Sequence, residues 1–123
     1  MQGNKTRNKP SLRGKKPPLL LVSLPNTLYT APIIAKRVIF EGRVQGVGFR
    51  YTVKQLAMGF DVVGTVKNLA DGTVELELMG EDGEVEEFLK EIIEESTLSH
   101  HIKNVHATDT PPLENVRGFT ISA

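Results

Sequence analysis

Gly42-Arg43-Val44-Gln45-Gly46-Val47-Gly48-Phe49-Arg50 joins two different periodicities. On its N-terminal side Val38, Phe40, Gly42 and Val44 alternate, as on one face of a strand. On its C-terminal side Phe49, Val53, Leu56, Ala57 and Phe60 recur at helical spacing, and Gly59 is placed to end that helix. A chain that turns tightly from strand into helix points several backbone N–H groups outward. With the helix dipole, these form a ready anion site. Gly46 and Gly48 permit positive φ and a close approach of an anion to the backbone. Arg50 adds a planar fork of donors that matches a phosphate. Spacing alone leaves two readings open, a phosphate-holding loop and a glycine-rich turn with a surface arginine.

Working outward, residues 62–69 read as a second strand, and Asp71-Gly72 is a hairpin signal. Val74, Leu76 and Leu78 then alternate with Thr73, Glu75, Glu77 and Met79, as in a strand buried on one face. Val85, Phe88, Leu89, Ile92 and Ile93 make an apolar stripe on a second helix, expected over residues 81–95. Residues 102–108 and 118–122 are candidate fourth and fifth strands, joined by the loop around Pro111-Pro112. The order is β-α-β-β-α-β with one extra short strand. It predicts an α/β (α+β) fold, a ferredoxin-like sandwich with a mostly antiparallel sheet and two helices on one face.

Two strings together point to a family. The first is the one quoted above. The second is Gly64-Thr65-Val66-Lys67-Asn68-Leu69-Ala70-Asp71-Gly72. They resemble the two signatures of the acylphosphatase family, G-x-V-Q-G-V-x-F-R and G-x-V-x-N-x-x-D-G, with every fixed position present. The resemblance covers residues 36–122. The chain departs from the family in two places. Thr65 stands where an aromatic residue is common, and the stretch between Gly59 and Gly64 is longer than the commonest arrangement. The resemblance implies hydrolysis of acyl phosphates, with Arg50 as phosphate ligand and Asn68 orienting the attacking water. It also implies no metal, no cofactor and no covalent intermediate, in a protein that is usually monomeric. The substrate-binding loop it implies is Gln45, Gly46, Val47, Gly48, Phe49 and Arg50. Gln45 either orients the cradle or faces solvent, Val47 either walls the site or does not, and Phe49 reads as core.

The chemistry fits so small a set of groups. An acyl phosphate is a mixed anhydride whose leaving group is a carboxylate, so a strong general acid is unnecessary. Phosphoryl transfer passes through a loose transition state, and catalysis is mostly positioning and charge stabilisation. An amide side chain near a strand end can accept from and donate to a water set in line with the P–O bond.

Composition bounds the rest. A chain of 123 residues is one domain's worth, and its longest apolar run, residues 19–22, is far too short to cross a bilayer. The absence of cysteine removes disulfides, thiol nucleophiles and thiolate metal sites. A formal net charge of zero conceals a division. Residues 1–37 hold eight of the fifteen Lys and Arg and no acid, whereas residues 38–123 hold seven cations and all fifteen acids. Among those seven, Arg43, Arg50, Lys54 and Lys67 lie in or beside the two motifs. Residues 1–35 are basic, contain prolines and lack periodicity, so they are expected to be a disordered tail ahead of a domain at 36–123. As an untargeted tail it leaves the chain cytoplasmic; secretory and organellar leaders stay open as alternatives.

His100, His101 and His106 read as exposed rather than as a metal site, because no acidic cluster accompanies them. Asp71 reads as a turn former rather than a catalytic acid. Two other functions compete. A nucleic-acid-binding domain of the same fold needs stacking aromatics and positive charge on the open sheet face. Here Glu75 and Glu77 stand on a central strand, and only two Tyr and no Trp are available. A regulatory module that kept the fold and lost turnover is opposed by the intact Arg50 and Asn68. The expected partner is a small-molecule acyl phosphate, with no nucleic acid and no membrane.

Overall fold

A computed structural model of the chain describes residues 31–122. The tail expected over residues 1–35 falls, up to residue 30, outside the described residues. Five strands and two helices follow the predicted order. They are β1 (Ile33–Gly42), α1 (Phe49–Ala57), β2 (Val62–Asn68), β3 (Val74–Glu81), α2 (Asp82–Lys90), β4 (Ile102–Thr110) and β5 (Phe119–Ser122). The sheet order is β4-β1-β3-β2-β5. β1 pairs antiparallel with β3 and β4, β3 pairs antiparallel with β2, and β5 lies parallel to β2. This is the mostly antiparallel, ferredoxin-like sandwich that the periodicity predicts.

The alternation of each strand decides its buried face. Val38 and Phe40 of β1, Val66 of β2, and Val74, Leu76 and Leu78 of β3 are fully buried. They pack with Phe49, Val53 and Ala57 of α1 and with Val85, Phe88 and Leu89 of α2 in one core. Rings tie the elements together: Phe40 and Phe49 lie 5.2 Å apart, and Phe88 touches both Phe60 and Phe119. Each such pair contributes about 0.5–1.5 kcal/mol beyond its buried area. The Phe40–Phe49 pair fixes the start of α1 against β1, just where the glycine-rich loop is strung. On the other face, Arg37 donates to Glu75 across β1 and β3.

Several boundaries differ from expectation. β1 begins at Ile33, ahead of the first regular alternation, because Ile33–Ala35 find partners on β3. Val44 continues the buried pattern but lies past the end of β1, reaching the core from the loop. β4 runs on to Thr110, paired with Ala35. The second helix is shorter than the expected 81–95. Glu81 ends β3, α2 stops at Lys90, and a wider π turn (Glu91–Glu95) and a 3-10 turn (Thr97–His101) follow. The two turns allow Ile92 and Leu98 both to enter the core. The Ser96 hydroxyl closes the π turn, donating to the Ile92 carbonyl and accepting from the Leu98 N–H. The connection between Gly59 and Gly64 is packed, with Phe60 against Phe88 and the Asp61 N–H donating to Glu84.

Candidate active site

The loop after β1 keeps its turn through Gly46 (φ 80°) and Gly48 (φ 78°). A Cβ at either position would meet nothing within 4 Å. Both glycines are therefore required by backbone conformation, and open space lies over them. Gly48 is the N-cap of α1; no side chain caps the helix, and its first turn carries no acid. The first N–H groups of a helix lack an intrahelical partner, so this end is both polar and accessible.

Arg50 sits one turn-start beyond, half-buried, and its Nη1 donates to the Ser122 carbonyl at 3.2 Å. The end of β5 thus holds the guanidinium in place. Asn68 arrives from another direction, as the last residue of β2. Val44, Gly46, Gly48, Phe49, Arg50, Tyr51, Asn68 and Ile121 together line a cavity of about 170 Å³. Arg50 is the one Lys, Arg, His, Asp or Glu among these lining residues.

The β2–β3 turn that carries Asn68 is braced from the loop. The Gln45 side-chain amide donates to the carbonyls of Leu69 and Thr73, both at 2.8 Å. Those residues already bond each other across the turn, Leu69 N–H to Thr73 O at 2.9 Å. Inside the turn, the Asp71 carboxylate accepts from the Thr73 hydroxyl and N–H. These hydrogen bonds hold the Asp71 carboxyl below the usual carboxylate range. Asp71 is a turn former, engaged in the turn itself. Gly64 is fixed by crowding: a Cβ there would lie 2.0 Å from the Glu77 carbonyl oxygen of β3. Only glycine lets β2 approach β3 closely enough there to keep its register toward Asn68.

The expected site residues therefore separate. Gly46, Gly48, Phe49, Arg50 and Asn68 come together at one cavity. Gln45 is spent on the turn carbonyls, and Val47 packs against the core instead of lining the cavity. Phe49 does both, buried in the core and lining the cavity. Thr65 lines a different cavity, of about 600 Å³, with Leu113, Asn115, Val116, Arg117 and Thr120, so this departure from the family pattern does not reach the Arg50 site. Sequence reading did not find Tyr51, Ile121 or the Ser122 carbonyl. Among the described residues no three His, Asp or Glu side chains gather as a metal set. His106 pairs with Glu41 at 3.2 Å, and His100 and His101 lie in the 3-10 turn.

The family model for acylphosphatase matches residues 36–121. The chain belongs to the acylphosphatase family. An acylphosphatase of Listeria welshimeri is 41% identical over 80 residues, covering 65% of this chain and 86% of that protein. The crystal structure of acylphosphatase from Bacillus subtilis superposes with a TM-score of 0.66 at 34% identity, covering 73% of this chain and 99% of that one. Full-length HypF, in its phosphate- and nucleotide-bound form, superposes with a TM-score of 0.68 at 28% identity; 78% of this chain matches 12% of that protein. Membership of the acylphosphatase family and these relatives support an enzyme that hydrolyses acyl phosphates, which are small-molecule substrates. No helix among the described residues is long and apolar enough to cross a membrane.

Proposed function

We propose that the cavity between the glycine loop and the end of β2 is where the carboxyl-phosphate bond is cleaved. The phosphate lies over Gly46 and Gly48, held by loop and helix N–H groups and by the Arg50 guanidinium. Asn68 orients a water opposite the acyl oxygen, accepting from it and fixing its lone pair in line with phosphorus. As the bridging P–O bond breaks, its electrons leave with the carboxylate, which needs no proton. The water oxygen takes its place on phosphorus and yields its proton to solvent, giving inorganic phosphate. Arg50 and the amides face the equatorial oxygens, where charge is spread in the transition state. The catalytic domain is residues 36–123, and residues 1–35 stand outside the chemistry.

The observation that carries this reading is that Arg50 and Asn68, from separate elements, line one small cavity with two open positive-φ glycines. Release of inorganic phosphate from acetyl or benzoyl phosphate by the full chain, with a chelator present, tests it. Release above the uncatalysed rate is expected. No release, or release only on adding a divalent metal, overturns it.

A further inference from the structure

We infer that Tyr51 and Ile121 receive the acyl part of the substrate and give the site a preference for uncharged, apolar acyl groups. This rests on the proposed placement of the phosphate. Four large apolar side chains stand out as exposed among the described residues: Ile33 (59%), Tyr51 (63%), Met58 (76%) and Ile121 (38%). Tyr51 and Ile121 line the cavity that holds Arg50 and Asn68. They come from different elements, the first turn of α1 and the middle of β5, and meet at the same opening.

The substrate's own geometry brings the acyl group there. One bridging oxygen separates phosphorus from the carbonyl carbon, so a phosphate seated on the loop holds its acyl group within a few ångströms. The cavity is about 170 Å³, well below the roughly 300–1,000 Å³ of sites that enclose a drug-sized ligand. The acyl group therefore extends through the opening, over Tyr51 and Ile121. Arg50 is taken by the phosphate, and no other lining residue is a Lys, Arg, His, Asp or Glu. A charged acyl group thus gains no partner from the lining residues. An alkyl or aryl group instead removes the tyrosine ring and the isoleucine from water.

The test compares kcat/KM for benzoyl phosphate and acetyl phosphate in the full chain. In the double variant Tyr51→Ser/Ile121→Ser the benzoyl-to-acetyl ratio is expected to fall about tenfold, the scale on which apolar pockets discriminate, with most of the change in the KM for benzoyl phosphate. Tyr51→Ser alone, at a surface position where folding is safe, is expected to lower the ratio about threefold. Tyr51→Phe should keep it, since the ring and not the hydroxyl makes the contact. Met58→Ser removes an equally exposed apolar group outside the cavity and should keep it too. A double variant that cleaves both compounds with the wild-type ratio overturns the acyl subsite and leaves the phosphate site standing. A wild-type chain that cleaves neither overturns the underlying hydrolytic reading as well.

Discussion

Arg50 combines a charge, a planar fork and a fixed orientation, the last supplied by the Ser122 carbonyl 3.2 Å away. Arg50→Gln removes the charge and is expected to lower kcat/KM by about a hundredfold or more, in line with losing one preorganised donor to an oxyanion. Arg50→Lys restores the charge without the fork and should recover little of it. Asn68 should separate from Arg50 in a kinetic experiment. If it orients water, Asn68→Ala lowers kcat about a hundredfold while inhibition by inorganic phosphate stays near wild type; Arg50→Gln weakens both. An Asn68→Ala protein that keeps kcat and loses phosphate affinity would reverse the two roles. The meeting of Arg50 and Asn68 at one cavity was legible in the sequence, because side-chain chemistry at fixed spacing is what a motif records. The Ser122 carbonyl was not, since a backbone acceptor has no letter of its own. Ile121 was not either: its place beside Arg50 follows from the parallel pairing of β5 with β2, which local pattern does not encode.

At the scale of the element, the glycine loop and the β2–β3 turn are one unit because Gln45 spans them. Its removal leaves Leu69 O and Thr73 O still bonded to Gly72 N–H and Leu69 N–H, so Gln45→Ala is expected to cost only about 1–2 kcal/mol of stability. The kinetic effect should be larger than that loss implies, since the turn carries Asn68. A shift of the turn misplaces the water, and kcat is expected to fall about tenfold with phosphate inhibition preserved. Gln45→Glu should be worse than Gln45→Ala, because a carboxylate would face two carbonyl oxygens. Steady-state kcat and the thermal unfolding midpoint, measured for both variants, check the order: kcat should fall more in Gln45→Glu than in Gln45→Ala, and in each by more than the loss of stability implies. The sequence left Gln45 between orienting the cradle and facing solvent, since a glutamine at a loop reads alike in both roles until its partners, 24 and 28 residues away, are in place. Element types were legible throughout, because strand alternation and helical stripes are local. Ends were less so. β1 gains Ile33–Ala35 only from its partner strand, and the second helix gives way to a π turn where Ile92 and Leu98 must both be buried.

For the whole molecule, element order left the sheet order open, because pairing joins residues far apart in sequence: β4 reaches β1, and β5 inserts beside β2. Two ion-bearing contacts at opposite ends of the pH scale report on that assembly. Lys36 of β1 donates to Asp109 of β4 at 2.8 Å, and this bond, with the negative charges of Asp109 and Glu86, holds its ammonium above the usual lysine range against the opposing effect of burial. Asp71 lies below the usual carboxylate range because Thr73 donates to it twice. The two shifts act with opposite sign. The folded state binds the Lys36 proton more tightly than the unfolded chain, so its contribution is full below the ordinary lysine pKa and disappears as pH rises through the folded value. The folded state binds the Asp71 proton less tightly, so its contribution is full above the ordinary aspartate pKa and disappears as pH falls through the folded value. Across neutral pH neither group contributes slope. Thermal unfolding followed from strongly acid to strongly alkaline pH should therefore show these contacts only at the two extremes. Lys36→Met should flatten the alkaline decline and leave the acid one. Asp71→Asn keeps an oxygen for Thr73 but no titrating group, and should flatten part of the acid decline alone. Because Lys36 ties the edge strand β4 to β1, its loss should raise amide exchange in β4 first, whereas Asp71→Asn should raise it in the turn beside Asn68. Equal exchange along β4 in wild type and Lys36→Met at neutral pH would show that the backbone ladder holds that edge without the ion pair.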